Sequence, residues 1–185
     1  MSDFRFDLTD EEKEYLKELA AQSIGFGLDP SGGPFGPPDP PTDKLREELG
    51  AFVTLKIDGG LRGCIGNVRG GGELFRTVWN MARSAAFEDP RFPPLTEDEF
   101  ERSSLEISIL SPIEICTDPE RVEVGRHGLI VSAQNRSGLL LPQVPVEWGW
   151  DRVAFLEQTC LKAALPRDAW KQPETVLFWF EAVVF

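Results

Sequence analysis

A chain of 185 residues is long enough for one domain with a substantial core, with room for a small subdomain. Hydrophobic residues make up 41% and charged residues 27%, which excludes a disordered polymer. The 19 basic and 31 acidic residues leave a net charge of −12, which repels phosphate backbones and anionic lipid, so neither nucleic acid nor a membrane surface is an expected partner.

Thr9-Asp-Glu-Glu12 is a capping box, and the apolar spacing behind it predicts a helix over 10–24 that Gly25 and Gly27 stop. The glycine- and proline-rich segment 28–42 reads as a flexible surface loop, followed by a short helix at 43–49. Residues 51–57 and 61–65 read as a strand pair turning at Asp58-Gly-Gly60. A second main helix is expected over 73–87 from its broad apolar stripe, then a proline-rich turn over 88–94. Thr96-Glu-Asp-Glu99 is another capping box that opens a short helix. Residues 105–110 alternate as a strand, extended at 113–116, and 128–134 with 138–141 read as a hairpin around Asn135-Arg-Ser137. A third main helix is predicted over 151–164 with Asp151 as its cap, and a closing aromatic strand over 175–185. With no regular strand–helix–strand alternation, the expected class is α+β: a largely antiparallel sheet with helices packed on it.

Cys64, Cys116 and Cys160 are odd in number and lack zinc-knuckle or redox-dithiol spacing, so a reduced, cytoplasmic protein without an intrachain disulfide is expected. The start, Met1-Ser-Asp-Phe-Arg5, does not read as a signal peptide, and no run reaches membrane-spanning length. No phosphate loop, dinucleotide fingerprint, nucleophile elbow or His-Glu-x-x-His helix is present.

The sharpest chemistry lies at Leu61-Arg-Gly-Cys-Ile-Gly66. On a strand, Arg62 and Cys64 share one face, and a guanidinium two residues from a thiol favours the thiolate. Cys64 reads as a nucleophile or redox thiol, with Arg62 tuning it or binding an anionic group; equally, a free cysteine often serves as a small buried hydrophobe. His127, the sole histidine, is a candidate acid/base or one metal ligand, or simply a turn histidine beside Gly128. A lone histidine makes no multi-histidine centre, so any metal would need carboxylate or thiolate partners; no metal ligand is assigned, and the cofactor is left unknown. Asn67, Arg91 and Glu106 are candidate binding residues; Asp89 and Arg91 also read as a turn that pairs or caps, and Glu106 as a solvated strand residue. The five tryptophans read as packing residues.

Taken as a set, Leu61-Arg-Gly-Cys-Ile-Gly66, Asp89-Pro-Arg-Phe-Pro-Pro94, Leu105-Glu-Ile-Ser108, Gly125-Arg-His-Gly128, Leu141-Pro-Gln143 and the run from Phe155 to Leu165 with Trp170 resemble the AMMECR family, whose bacterial and archaeal members are also called AmmeMemoRadiSam system protein A. The resemblance spans nearly the whole chain and implies a single AMMECR-like domain over 1–185. It implies an α+β fold with a larger and a smaller subdomain and a cleft where the hallmark residues gather. The family's biochemical role is not established; its association with Memo-type and radical SAM proteins implies a redox or modification pathway and names those as partners. Two functions follow: an enzyme or enzyme component acting around Cys64, or a non-catalytic adaptor that docks a partner through the hallmark surface. One departure is Ala163-Ala164, where the family often has alanine-glycine.

Overall fold

A computed structural model describes residues 7–29, 31 and 36–185. The chain divides into two compact units, Met1–Leu110 with Val183–Phe185, and Ser111–Ala182. Both are helices packed on antiparallel strands, which makes the fold α+β. Among the described residues, no helix is long and apolar enough to cross a membrane.

In the first unit, α1 (Asp10–Leu28) precedes a 3₁₀ turn at Asp43–Arg46, where the longer 43–49 helix was expected. The strands β1 (Gly50–Ile57) and β2 (Gly60–Asn67) follow, then α2 (Leu74–Phe87), α3 (Glu97–Glu101) and β3 (Ser103–Leu110). β1 lies between β2 and β3, antiparallel to each. Asp58 (φ 51°) and Gly59 (φ 77°) form the two-residue turn that joins β1 to β2, both in the left-handed region such tight hairpins require. Ala51, Val53 and Leu55 on one side of β1 join Ile107 and Ile109 of β3 in a core covered by α1 and α2. The Ser23 hydroxyl donates to the Trp79 carbonyl at 2.7 Å and fastens the two helices inside that core.

Helix α1 runs four residues further than its sequence implies, through both glycines to Leu28. At Gly27 a Cβ would stand 2.3 Å from the Phe87 ring, so the missing side chain lets the end of α2 close on α1. Tertiary packing therefore outweighs the weak helix propensity of glycine. Of the 28–42 loop, residues 30 and 32–35 lie outside those described.

The second unit contains β4 (Glu114–Ile115), β5 (His127–Ala133), β6 (Arg136–Leu140), α4 (Gln143–Glu147), α5 (Arg152–Lys162) and most of β7 (Val176–Val184). β5 lies between β6 and β7, and β4 pairs with β7, all antiparallel. Phe155, Leu156 and Cys160 of α5 close a core with Leu129, Val131 and Leu177. The β5–β6 turn is shorter than expected. Gln134 (φ 51°) and Asn135 (φ 62°) make it alone, and Arg136 already pairs with Ala133. The short helix α4 has no strong signal of its own: Pro142 stands at its N-cap without a side-chain cap bond.

Helix α5 ends in a Schellman motif: the Ala164 N–H bonds to the Leu161 carbonyl and the Leu165 N–H to the Cys160 carbonyl, both at 2.9 Å. The residue that must turn left-handed there is Ala164, at φ 55°, where glycine is the usual choice. Ala164→Gly is accordingly expected to stabilise the second unit by about 0.5–1 kcal/mol, because relief of the left-handed strain exceeds the extra chain entropy of glycine. Urea denaturation of the variant checks this; an unchanged or lower midpoint contradicts it.

Candidate functional site

Strand β2 carries the site at its edge. The ladder slips between Leu55, which faces Gly63, and Lys56, which faces Leu61, so Arg62 has no partner across the pair. The bulge interrupts the two-residue alternation expected to align Arg62 with Cys64. Beyond it, Gly63 and Ile65 face Leu55 and Val53 of the core, while Cys64 takes the reverse face, opposite Thr54, which in turn lies opposite Glu106. Cys64 is half-buried, and the Thr54 hydroxyl donates to its Sγ at 3.2 Å.

The proline-rich turn 88–94 seals the free edge of β2. The buried Asp89 accepts the Cys64 N–H on Oδ2 at 2.9 Å. Arg91 forks onto the same carboxylate, Nε to Oδ1 at 2.9 Å and Nη2 to Oδ2 at 2.6 Å, and reaches the Cys64 carbonyl at 3.3 Å. Asp89 and Arg91 thus occupy the backbone hydrogen-bonding positions that a neighbouring strand would use at Cys64. The Arg91 hydrogen bonds hold the Asp89 carboxyl well below the usual carboxylate range despite its burial, and the Cys64 and Arg91 amides add to the effect. The Arg91 guanidinium is pushed up in turn, chiefly by Asp89. Its side chain stays 54% exposed, which leaves a cation at the surface next to the thiol.

Arg62 points elsewhere. Nearly buried, it binds Glu99 through Nε and Nη2, both at 2.9 Å, and the Pro93 carbonyl at 2.9 Å. That fork holds Glu99 down to about 2, with the Thr96 backbone N–H contributing next. Both guanidinium groups approach the Phe92 ring, that of Arg62 at 5.6 Å and that of Arg91 at 5.5 Å from its centroid. Glu99 carries two tasks, because it also closes the capping box of α3 with Thr96. The capping box is legible in sequence and obscures its second partner. The sequence marks Glu99 only as a helix cap and Phe92 only as part of the proline-rich motif, and Thr54 has no local signal beyond sharing an alternating face with Lys56.

The remaining candidates take separate places. Glu106 pairs with Lys56 at 2.8 Å on the Cys64 side of the strands, and Asn67 ends β2, accepting the Arg69 N–H on Oδ1 at 3.2 Å. His127 belongs to the second unit, where it is buried against the Trp179 ring at 4.9 Å. Its Nδ1 accepts the Glu123 N–H at 3.0 Å, which places the proton of the neutral ring on Nε2. Burial pushes its pKa below the ordinary histidine value, with Arg126 adding to the shift. Cys116 and Cys160 are buried, and burial raises both thiols above their ordinary range. Among the described residues no group of three or more His, Cys, Asp or Glu is placed to hold a metal ion.

A family model described as AMMECR1 matches residues 18–185. The chain belongs to the AMMECR1 family. The AMMECR1 match covers most of both units and takes in Arg62, Cys64, Asp89, Arg91, Glu99 and His127. A protein of Methanopyrus kandleri is 46% identical over 187 residues, covering 96% of this chain and 89% of that one. One of Aquifex aeolicus is 44% identical over 155 residues, 80% of each chain. The crystal structure of an uncharacterized protein from Pyrococcus horikoshii superposes with a TM-score of 0.89 at 40% identity, over 97% of this chain and 93% of that one. This AMMECR1-family fold is thus shared by a relative solved by crystallography.

Proposed function

We propose that this AMMECR1-family protein is a cytoplasmic enzyme component that acts through the Cys64 thiol on a small molecule or a protein, in a redox or modification pathway with a Memo-type or radical SAM partner. The supporting observation is a thiol held in place from three sides. Its N–H is bound by Asp89, its carbonyl by Arg91, and its sulfur takes a hydrogen bond from Thr54. A fixed, half-exposed sulfur is what a nucleophile or redox thiol needs, because positioning lowers the entropic part of the barrier. In this reading Arg91 is the cation that orients an anionic group of the substrate. Arg62 supports the site by fixing the turn through Glu99 and Pro93. Asn67 and Glu106, on the same unit as Cys64, contribute binding contacts.

Alkylation by iodoacetamide near neutral pH tests the reading. Cys64 is expected to react at least about tenfold faster than the buried Cys116 and Cys160, with Thr54→Val and Arg91→Gln slowing it about threefold. Equal rates at the three thiols, read by mass spectrometry, would remove Cys64 as the reactive centre.

One observation favours the adaptor instead. Both arginines already meet a carboxylate, Arg62 on Glu99 and Arg91 on Asp89, so the cluster is complete without a substrate. An adaptor keeps partner binding in Cys64→Ser and loses it in Arg91→Gln; a thiol enzyme loses its activity in Cys64→Ser.

A further inference from the structure

The second unit carries an aromatic surface that its fold does not use. Helix α4 ends at Glu147, and the five residues Glu147-Trp148-Gly149-Trp150-Asp151 place two indoles between two carboxylates. Gly149 takes φ 64°, which folds the chain back so that the Trp150 N–H bonds to the Pro145 carbonyl at 2.8 Å. Trp150 is thereby packed against the second core, and Trp148 stacks on it with ring centroids 6.0 Å apart and planes 22° from parallel. Trp148 remains 69% exposed, and Val146 beside it 59%. The Val124–Gly125 segment continues this apolar ground, since a Cβ at Gly125 would stand 3.2 Å from Val146 Cγ2. Folding therefore spends one indole as an anchor and holds a second, rigidly, in water.

Charge tells which partner suits it. The nearby arginines are satisfied: Arg126 binds Glu123 and Glu181, and Arg152 binds Glu120. Glu147 is exposed and forms no ion pair among the described residues, and Asp151 uses only Oδ1, to cap α5. The indole face is the strongest aromatic site for a cation, and a planar guanidinium both stacks on it and forks onto a carboxylate. The apolar ground beside it suits a methylene stem, and the net charge of −12 draws cationic segments in.

From this we infer that Trp148, with Glu147 and the Val124–Val146 ground, docks an arginine-bearing segment of a partner protein. The surface lies wholly in the second unit and does not rest on the Cys64 reading.

The probe is a blocked pentapeptide alternating arginine and glycine, titrated into ¹⁵N-labelled protein, with lysine and citrulline versions alongside. The Trp148 indole N–H peak is expected to shift saturably with the arginine peptide, less with lysine, and not with citrulline. Trp148→Ala is expected to weaken binding about fivefold or more and Glu147→Gln about two- to threefold, with the Trp79, Trp170 and Trp179 indole peaks unmoved as evidence of an intact fold. Binding that is unchanged in Trp148→Ala reports general attraction to an acidic surface and overturns the inference. A Trp148 peak that follows protein concentration rather than peptide assigns the face to a second copy of this chain, which also overturns it.

Discussion

Gly63→Ala is expected to destabilise the first unit by about 3 kcal/mol, the upper part of the range for overpacking, because the added methyl meets backbone on a side that cannot yield. An ideal Cβ at this position stands 2.2 Å from the Ala85 carbonyl oxygen and 3.2 Å from its carbon, within α2. The strand cannot slide away: β1 holds β2 on one edge, and Asp89 and Arg91 bind the Cys64 backbone on the other. Helix α2 cannot retreat without uncovering Phe75 and Val78, both fully buried. The same displacement would move Cys64, one residue on. Thermal or urea denaturation should show a midpoint lowered by roughly 6–12 °C or its urea equivalent. A midpoint within a degree of the parent would mean that β2 and α2 are further apart than the structure places them.

The second large effect belongs to Asp89. Its carboxylate is acceptor to the Cys64 N–H, the Arg91 N–H and the Arg91 guanidinium, and its side chain is 2% exposed. Asp89→Ala leaves the Cys64 donor unpaired at a buried edge and is expected to lower stability by about 2–3 kcal/mol. The half-exposed Arg91 recovers water, so the loss stays below that of an orphaned buried charge. The pH dependence follows in sign. A carboxyl held below its unfolded value of 3.8 contributes fully above that pH, and its contribution is lost as pH falls toward the folded value. Glu99, drawn from 4.5 to about 2 chiefly by Arg62, acts in the same direction and window. The parent protein should therefore lose stability below about pH 4.5, and Asp89→Asn should lose less over that range. Identical acid-side slopes for the two, from denaturant titrations between pH 5 and pH 2.5, would show that Asp89 is not the group responsible.

What the sequence by itself determined is the local frame. The capping boxes at Thr9 and Thr96 are both formed with the glutamates three residues on, and Asp151 caps α5 as its position implies. The strand pair also turns at Asp58, with Gly60 of the expected three-residue turn already paired to Ile57, and the alternation through 105–110 is in place. Each of these closes its hydrogen bonds within a few residues, so side-chain type and spacing suffice to specify it. Cys64 stands out as a candidate by residue type alone, as a thiol set among glycines. Only the tertiary structure decided what surrounds it. The partner of Arg62 is Glu99, 37 residues away, and the partner of the Cys64 N–H is Asp89, 25 residues away. The one-residue slip between Leu55 and Lys56 breaks the alternation that would have aligned Arg62 with the thiol, and the packing of Phe87 at Gly27 carries α1 past its apparent stop. A bulge and a helix–helix contact depend on elements that meet only after folding. The direction of a side chain at a strand edge is set by which distant turn closes against that edge, and no periodicity along the strand encodes it.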